Sequence, residues 1–157
     1  MSRRRRAVKR EIQEDPVYKS VVLSKFINKL MRHGKKSIAR KIVYEALEKF
    51  AQKVKATDPL TAFEQALENA KPILEVKSRR IGGSNYQVPV EIPEGRRLSL
   101  AMKWLLTHAN NKPGKSMIEG LSLELADCFN NQGPTIKQKD ETHRMAEANK
   151  AFASYKW

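Results

Sequence analysis

The sequence predicts a mainly α-helical protein: a single domain of six helices, with one protruding β-hairpin between the third and fourth helices. The chain has 157 residues, of which 40% are hydrophobic, and this length and composition suit one domain with one core. Over most of the chain the apolar residues recur every three to four positions, which is typical of amphipathic helices. Between residues 73 and 92 they alternate instead, on both sides of a glycine pair, which indicates a hairpin.

The first two helices are predicted from the positions of their apolar residues. Over residues 20–33 these residues fall on one arc and the lysines on the opposite arc, and Gly34 is expected to end the helix. Phe26 lies in the apolar arc and is therefore expected in the core. A second helix over residues 37–54 is expected to turn an apolar face inward, and Ile38 is placed on that face.

The third helix and the hairpin follow from local signals. Asp58-Pro59 supplies an N-cap and a proline at the first helical position, and Pro72 ends this helix. Gly82-Gly83-Ser84 forms the tip of the hairpin at 73–92. Pro89 has no N–H to donate to a further strand, so the second strand is expected to keep a free edge there.

Three more helices complete the prediction. The fourth begins near residue 95, and Ser116 with Glu119 forms a capping box for the fifth. Gly133-Pro134 is expected to break the chain, and Asp140 to cap the last helix. The inward stripe of that last helix is predicted to be Met145, Ala148, Phe152 and Tyr155.

Most of the positive charge lies in the N-terminal quarter of the chain. The formal net charge is +14, and residues 1–41 hold 14 basic and 3 acidic side chains. Such an excess favours a polyanionic partner. Residues 1–12 have no hydrophobic period, so we expect a flexible arm that orders on nucleic acid, followed by one domain over residues 13–157. A solvated tail or a nuclear-import signal is the alternative interpretation of the arm.

Composition also argues against several classes of protein. Cys128 is the one cysteine, so no intramolecular disulfide can form, and it is expected to be an inert thiol in the core. No apolar run reaches the roughly 18 residues of a membrane span. The basic N-terminus has no apolar segment behind it, unlike a secretory signal. We therefore expect no membrane contact and a reducing compartment.

Two patterns are similar to ligand sites, but we interpret neither as a site that binds a ligand. Residues 109–116 (A-N-N-K-P-G-K-S) fit a loose phosphate-loop pattern, but the preceding segment is helical and Pro113 removes a backbone donor, which favours an inter-helix turn. His143 and Glu147 are four residues apart on a helix without a third metal ligand, which favours a solvated polar face. We therefore predict a protein that is not an enzyme, with no catalytic residue, metal, cofactor or small-molecule substrate.

Trp104 lies beside basic residues on the fourth predicted helix. An exposed tryptophan can stack on an unpaired RNA base, and Arg96, Arg97 and Lys103 lie on the same side. Packing of Trp104 against a neighbouring helix explains its position equally well, so both interpretations stay open at this point.

One stretch of the chain resembles the signature hairpin of a known family. Residues Glu75–Val90 read E-V-K-S-R-R-I-G-G-S-N-Y-Q-V-P-V, which is similar to the hairpin of the bacterial-type small ribosomal subunit protein seven family. The resemblance continues from end to end and in order. Its other motifs are the N-terminal S-R-R-R-R, residues 25–29 with 34–37, residues 63–69, Lys115-Ser116-Met117 and the tail at 143–152.

The resemblance implies a structural protein of a bacterial-type ribosome. It implies a primary binder of 16S rRNA that nucleates assembly of the 30S head, in the 3′ major domain. It places the chain at the subunit interface, near the exit-site tRNA and the decoding region, with small-subunit protein eleven as a neighbour. The expected location is the cytoplasm, and a plastid ribosome is also compatible. The alternative is a basic regulator that binds mRNA or DNA outside the ribosome.

The resemblance also implies which residues contact RNA. On the tRNA side it implies Arg79, Arg80, Gly82, Gly83, Arg144, Lys150 and Tyr155. For rRNA it implies basic residues of the arm, the helices and the hairpin, which are Arg3, Arg4, Arg5, Arg6, Lys9, Arg10, Lys25, Lys29, Lys35, Lys36, Arg79, Arg80, Arg96 and Arg97. To these predicted rRNA-binding residues we add Arg32, Lys103, Trp104, Lys115 and Met117.

Three positions depart from the pattern of the family. Pro93-Glu94 stands where members usually have Arg-Pro, Asn110-Asn111 stands where a basic pair is common, and Gln138 replaces a usual lysine. These changes predict weaker RNA contacts along those edges of the protein.

Overall fold

The structure, a computed structural model, describes residues 10–155, except for the side chain of Tyr155. Within that range the predicted fold class is confirmed, because six helices and one antiparallel hairpin follow the predicted order. The helices are α1 (Val21–Leu30), α2 (Lys36–Val54), α3 (Pro59–Ala70), α4 (Glu94–Asn110), α5 (Met117–Phe129) and α6 (Gly133–Ala148). The strands are β1 (Leu74–Ile81) and β2 (Ser84–Glu91), and a 3-10 helix (Lys150–Tyr155) follows α6.

Helix α5 lies at the centre of the fold and packs against α2, α3, α4 and α6. Leu121, Leu125 and Cys128 of this helix are fully buried. Burial raises the pKa of the Cys128 thiol to about 12, with the nearby Glu124 carboxylate as the next contribution. The thiol therefore stays protonated and unreactive at neutral pH, as predicted for a core cysteine.

Two of the three predicted helix caps are present, those of Asp58 and Ser116. Asp58 accepts hydrogen bonds from the backbone N–H groups of Leu60 and Thr61, each at 3.2 Å, and begins α3. The Ser116 hydroxyl accepts from the N–H of Glu119 at 3.3 Å and begins α5. Both contacts satisfy backbone donors that have no partner within the first turn of a helix.

The start and the inward face of α6 differ from the prediction. This helix begins at Gly133, seven residues before Asp140, with a proline in its first turn. Gly133 has a φ of +88°, and an added Cβ would lie 2.8 Å from the Cβ of Asp127. Proline suits the first helical position because its φ is already helical, so Gly133-Pro134 starts the helix instead of breaking the chain. Met145 is 44% exposed and Ala146 is 1% exposed, so the predicted stripe was wrong in phase.

Ile38 is the second difference between sequence and structure. Its side chain is 55% exposed, although the prediction placed it inward. At about 100° per residue it falls on the flank of the arc formed by Ala39, Val43 and Leu47, which are buried. The prediction therefore treated Ile38 as one of the buried residues of this face, although it lies beside the apolar arc.

The hairpin packs along α6 and the 3-10 helix instead of standing alone. Its strands pair from Leu74 with Glu91 to Ile81 with Ser84. The rings of Tyr86 and Phe152 pack with centroids 5.2 Å apart, and Pro89 is buried against this side. Among the described residues β2 pairs with β1 alone. The other backbone edge of β2 therefore has no neighbouring strand, as predicted.

His143 joins the base of the hairpin to α6, which corrects its assignment to a solvated polar face. Its Nε2 atom accepts a hydrogen bond from the backbone N–H of Ile73 at 2.9 Å. Burial lowers the pKa of His143, Lys139 lowers it further, and Asp140 opposes the shift. Protonation would remove the acceptor, because both nitrogens of a charged imidazole are donors.

This hydrogen bond predicts a dependence of stability on pH. The pKa of His143 lies below 6.5 in the folded chain, so the unfolded chain takes up the proton first as pH falls. The contribution of His143 is therefore complete above pH 6.5 and decreases below it. We expect His143→Gln, which keeps an uncharged acceptor, to lose less stability than the parent chain between pH 7.5 and pH 5.5. The measurement is urea unfolding at both pH values, and equal losses in the two chains would contradict the prediction.

Candidate nucleic-acid interface

A basic groove runs between α1 and α4, with a volume of about 1180 Å³. Arg10, Lys25, Lys29 and Arg96 line it, so four of the predicted rRNA-binding residues come together from three parts of the chain. Glu11 is the carboxylate among its described lining residues. A groove with four cations and one carboxylate suits a polyanion.

Lys29 is held in place between α1 and α4. Its ammonium group donates to the backbone oxygen and to the hydroxyl of Ser99, each at 2.6 Å. Burial lowers the pKa of Lys29, and the charge of Lys103 lowers it further. Lys29 is therefore positioned by the fold instead of moving freely in solvent, although its side chain stays exposed.

A smaller pocket adjoins the groove, with Lys29 shared by both. Its volume is about 310 Å³, and apolar side chains of α1, α2, α4 and α5 line it; we call this apolar lining its floor. Arg32 and Lys35 lie at this pocket with Lys29, and Met117 and Asn110 also line it. The structure thus gathers three further predicted residues, Arg32, Lys35 and Met117, beside the basic groove.

Two of the predicted arginines form hydrogen bonds within the protein, one with a carboxylate and one with a backbone oxygen. Arg96 donates to both oxygens of Glu75, from Nε at 3.0 Å and from an outer nitrogen at 2.8 Å. Although partial burial opposes ionisation, hydrogen bonds from Arg96 and Lys77 lower the pKa of Glu75. The Nε atom of Arg97 donates to the backbone oxygen of Ile92 at 2.8 Å. Both arginines therefore also hold the start of α4 against the hairpin.

Glu94 forms ion pairs at the same edge. Its carboxylate lies 2.7 Å from the ammonium group of Lys71 and 3.6 Å from the guanidinium group of Arg97. Lys71 lowers the pKa of Glu94 through a hydrogen bond and its charge. This residue is one of the departures noted above, and it places negative charge beside two cations.

The turn between α4 and α5 confirms the structural interpretation of residues 109–116. Lys112 lies 2.8 Å from a carboxylate oxygen of Asp127 and 3.0 Å from one of Glu124. Glu124 is fully buried and also accepts from the backbone and the hydroxyl of Thr135, at 3.1 and 2.6 Å. The turn is therefore fastened to α5, which in turn positions the first residues of α6.

Residues 10–155 show neither a metal-binding cluster nor a membrane-spanning helix. In this part of the chain no cluster of three or more His, Cys, Asp or Glu side chains is placed to bind a metal ion. None of the described helices has both the length and the apolar character that a membrane crossing requires.

Comparison with known proteins decides the family. The model of the family "Ribosomal protein S7p/S5e" matches residues 2–150. The chain belongs to this family. Proteins named small ribosomal subunit protein uS7 are 66% identical in Protochlamydia amoebophila and in Chlamydia caviae, and 65% identical in Chlamydia pneumoniae. Each alignment covers 100% of this chain and 100% of the relative.

Membership in the S7p/S5e family confirms the resemblance seen in the sequence. It also confirms the expectation of a ribosomal protein that is not an enzyme. The RNA contacts of individual residues that the resemblance implies stay predictions.

Several of the predicted rRNA residues are not lining residues of the groove or the pocket, although Lys103 lies close enough to Lys29 to lower its pKa. Lys36 and Lys103 are exposed, and Trp104 is half-buried on α4. Lys115 lies near Lys53, whose pKa is lowered by burial first and by Lys115 second. The side chains of Arg3, Arg4, Arg5, Arg6 and Lys9 lie outside the described residues.

The residues assigned to the tRNA side lie on the hairpin, on α6 and on the 3-10 helix. Gly82 and Gly83 form the tip of the hairpin with φ values of +56° and +91°, which only glycine adopts readily. Arg80 is exposed, whereas Arg79 is half-buried. Arg144 and Lys150 are exposed on the elements that the hairpin packs against, and the side chain of Tyr155 lies outside the described residues.

Sequence reasoning missed the apolar part of the interface. Leu30, Ile38, Ile42 and Leu106 line the pocket, and Asn110 lies at its edge. The phase of α2 offered one signal, because Ile38 falls outside the centre of the apolar arc. The position of Leu106 at the pocket depends on how α4 packs on α1 and α5, so the sequence held no comparable signal for it.

Proposed function

We propose that the chain is a primary binder of 16S rRNA that nucleates assembly of the 30S head. The basic groove supports this proposal most directly, because Arg10, Lys25, Lys29 and Arg96 converge there from separate segments. Relatives 65–66% identical over their full length are named small ribosomal subunit proteins. A rigid groove lined with cations stabilises one arrangement of RNA strands by neutralising phosphates where the strands meet.

The rigidity of the groove supports a role in organising RNA. Lys29 is bonded to Ser99 across α1 and α4, and Arg96 is bonded to Glu75 across α4 and β1. The segment before α1 is also fastened, because the Tyr44 hydroxyl donates to Asp15 at 2.7 Å. Preformed contacts reduce the ordering that binding would otherwise require, so RNA strands meet fixed cations.

We also assign the hairpin side of the molecule to the exit-site tRNA and the decoding region. The exposed Arg80 of β1 and the exposed Arg144 of α6 belong to elements that pack together and supply positive charge on this side. Small-subunit protein eleven is the protein neighbour that we assign to this side.

The test is a salt titration with an RNA fragment of the 3′ major domain. Each neutralised phosphate contributes about 0.7–0.9 to the slope of log affinity against log salt. Residues 1–10 carry six basic side chains. If about four of them contact phosphates, their removal lowers the slope by about 3 and leaves the melting temperature unchanged.

Two single variants refine this test of the rRNA interface. Lys25→Ala removes one groove cation and is expected to lower the slope by about 0.8. Lys41→Ala is the matched control, because Lys41 is an exposed lysine of α2 that pairs with Glu45 at 3.9 Å and lies away from the groove. Equal slopes for Lys25→Ala, for the truncated chain and for the parent would overturn the proposed interface. Equal affinity for a DNA duplex of the same length would favour the regulator outside the ribosome.

A further inference from the structure

The pocket beside the groove has a combination of features that phosphate binding alone does not require. Its lining residues include Leu30, Ile38, Ile42 and Leu106, an apolar set, and Ile38 is 55% exposed. Three cations, Lys29, Arg32 and Lys35, lie at the same pocket, and none of its described lining residues is acidic. Phosphates gain nothing from contact with isoleucine and leucine, so the apolar floor calls for a different part of an RNA ligand.

We propose that this pocket receives one unpaired base of the bound RNA, with Lys29, Arg32 and Lys35 on the phosphates that flank it. The proposal rests on the rRNA-binding function proposed above and adds the part of the RNA that is recognised. Lys29 lines both the groove and the pocket, so a strand that follows the groove reaches the pocket directly.

Size and charge select this occupant. A volume of about 310 Å³ lies at the small end of ligand pockets and has room for one base. Bases within an RNA duplex are stacked and paired, whereas bases in bulges and loops can be turned outward into a protein. An apolar side chain of a partner protein would fit the floor, but it would bring no negative charge to the three cations.

Asn110 gives the pocket a means of distinguishing bases. It lines the pocket and is exposed, and its amide carries both donors and an acceptor. The edges of nucleobases also combine donors with acceptors, so an amide can pair with one base better than with another. Asn110 belongs to the Asn110-Asn111 pair, which stands where family members commonly have two basic residues. At this position the chain therefore lacks a positive charge and has instead an amide that can form hydrogen bonds with a base.

The test uses five synthetic RNA duplexes of the same stem sequence. One is fully paired, and the others carry a single bulged A, C, G or U at the same place. We expect the parent chain to bind its preferred bulged RNA about tenfold more tightly than the paired RNA, which is the effect of burying part of a base. Ile38→Ser is expected to remove most of this preference while leaving the salt slope unchanged, because no charge is altered. A 2-aminopurine in the bulge is expected to become more fluorescent on binding, since the pocket separates it from its stacked neighbours.

Ile73→Ser is the matched control, because Ile73 is also 55% exposed and lies away from this pocket at the base of the hairpin. It is expected to keep the preference for the bulge. A second variant, Asn110→Ala, is expected to keep the preference for a bulge and to reduce the differences among the four bases.

The outcomes separate this proposal from the proposed function. A parent chain that binds paired and bulged RNA equally, with a normal salt slope, overturns the base pocket and leaves the groove intact. The same conclusion follows if Ile38→Ser and Ile73→Ser bind alike, or if 2-aminopurine fluorescence does not change. A parent chain that binds none of the RNAs overturns the proposed function and this inference with it.

Discussion

Replacing Phe26 with alanine is expected to lower the free energy of unfolding by about 3–5 kcal/mol. Phe26 is fully buried in α1, and its ring packs edge-on against that of Phe63 with centroids 5.2 Å apart. Removal of the ring leaves a cavity that the surrounding helices cannot close completely, and it also removes the contact between the rings. The measurement is urea denaturation followed by circular dichroism.

Lys25→Ala is the control for this experiment. Lys25 is the neighbour of Phe26 in the chain, and its side chain is exposed at the basic groove. Its replacement is expected to change the free energy of unfolding by less than about 0.5 kcal/mol, because surface substitutions away from caps and cores have small effects. A similar loss of stability in the two variants would mean that the phase of α1 is wrong.

The second large effect is expected at Gly120 of α5. An added Cβ would collide with the backbone oxygen of Ala109 in α4, and the helix backbone cannot move aside as a flexible side chain could. Gly120→Ala is expected to lower the free energy of unfolding by about 2–3 kcal/mol, even though alanine favours helix more than glycine does. Met117, one turn before Gly120 in α5, lines the pocket beside the basic groove.

Gly95→Ala provides the opposite result with the same chemical change. Gly95 lies in the first turn of α4, and a Cβ built there meets no atom within 4 Å. We expect this variant to be more stable than the parent by up to about 1 kcal/mol, because alanine loses less backbone entropy in a helix. If both variants melted at the parent temperature, the close packing of α4 on α5 would be refuted.

The sequence by itself determined the elements of this protein. Helix periodicity, the cap at Asp58, the cap at Ser116 and the alternation around Gly82-Gly83 each act over a few neighbouring residues. Such short-range signals depend only on residues within the helix or hairpin that they specify. The excess of positive charge follows from composition alone, and the expectation of a polyanionic partner therefore does not depend on the fold.

The tertiary structure alone decided which faces are covered and which side chains meet. Thr135 bonds to the buried Glu124, and this contact helps to place the start of α6 before Asp140. Ile38 and Leu106 line one pocket because α2 and α4 each pack against both α1 and α5, and Ile38 stays exposed there. Such contacts join residues far apart in the chain, and the hydrophobic pattern of one helix does not specify which partner will cover its flank.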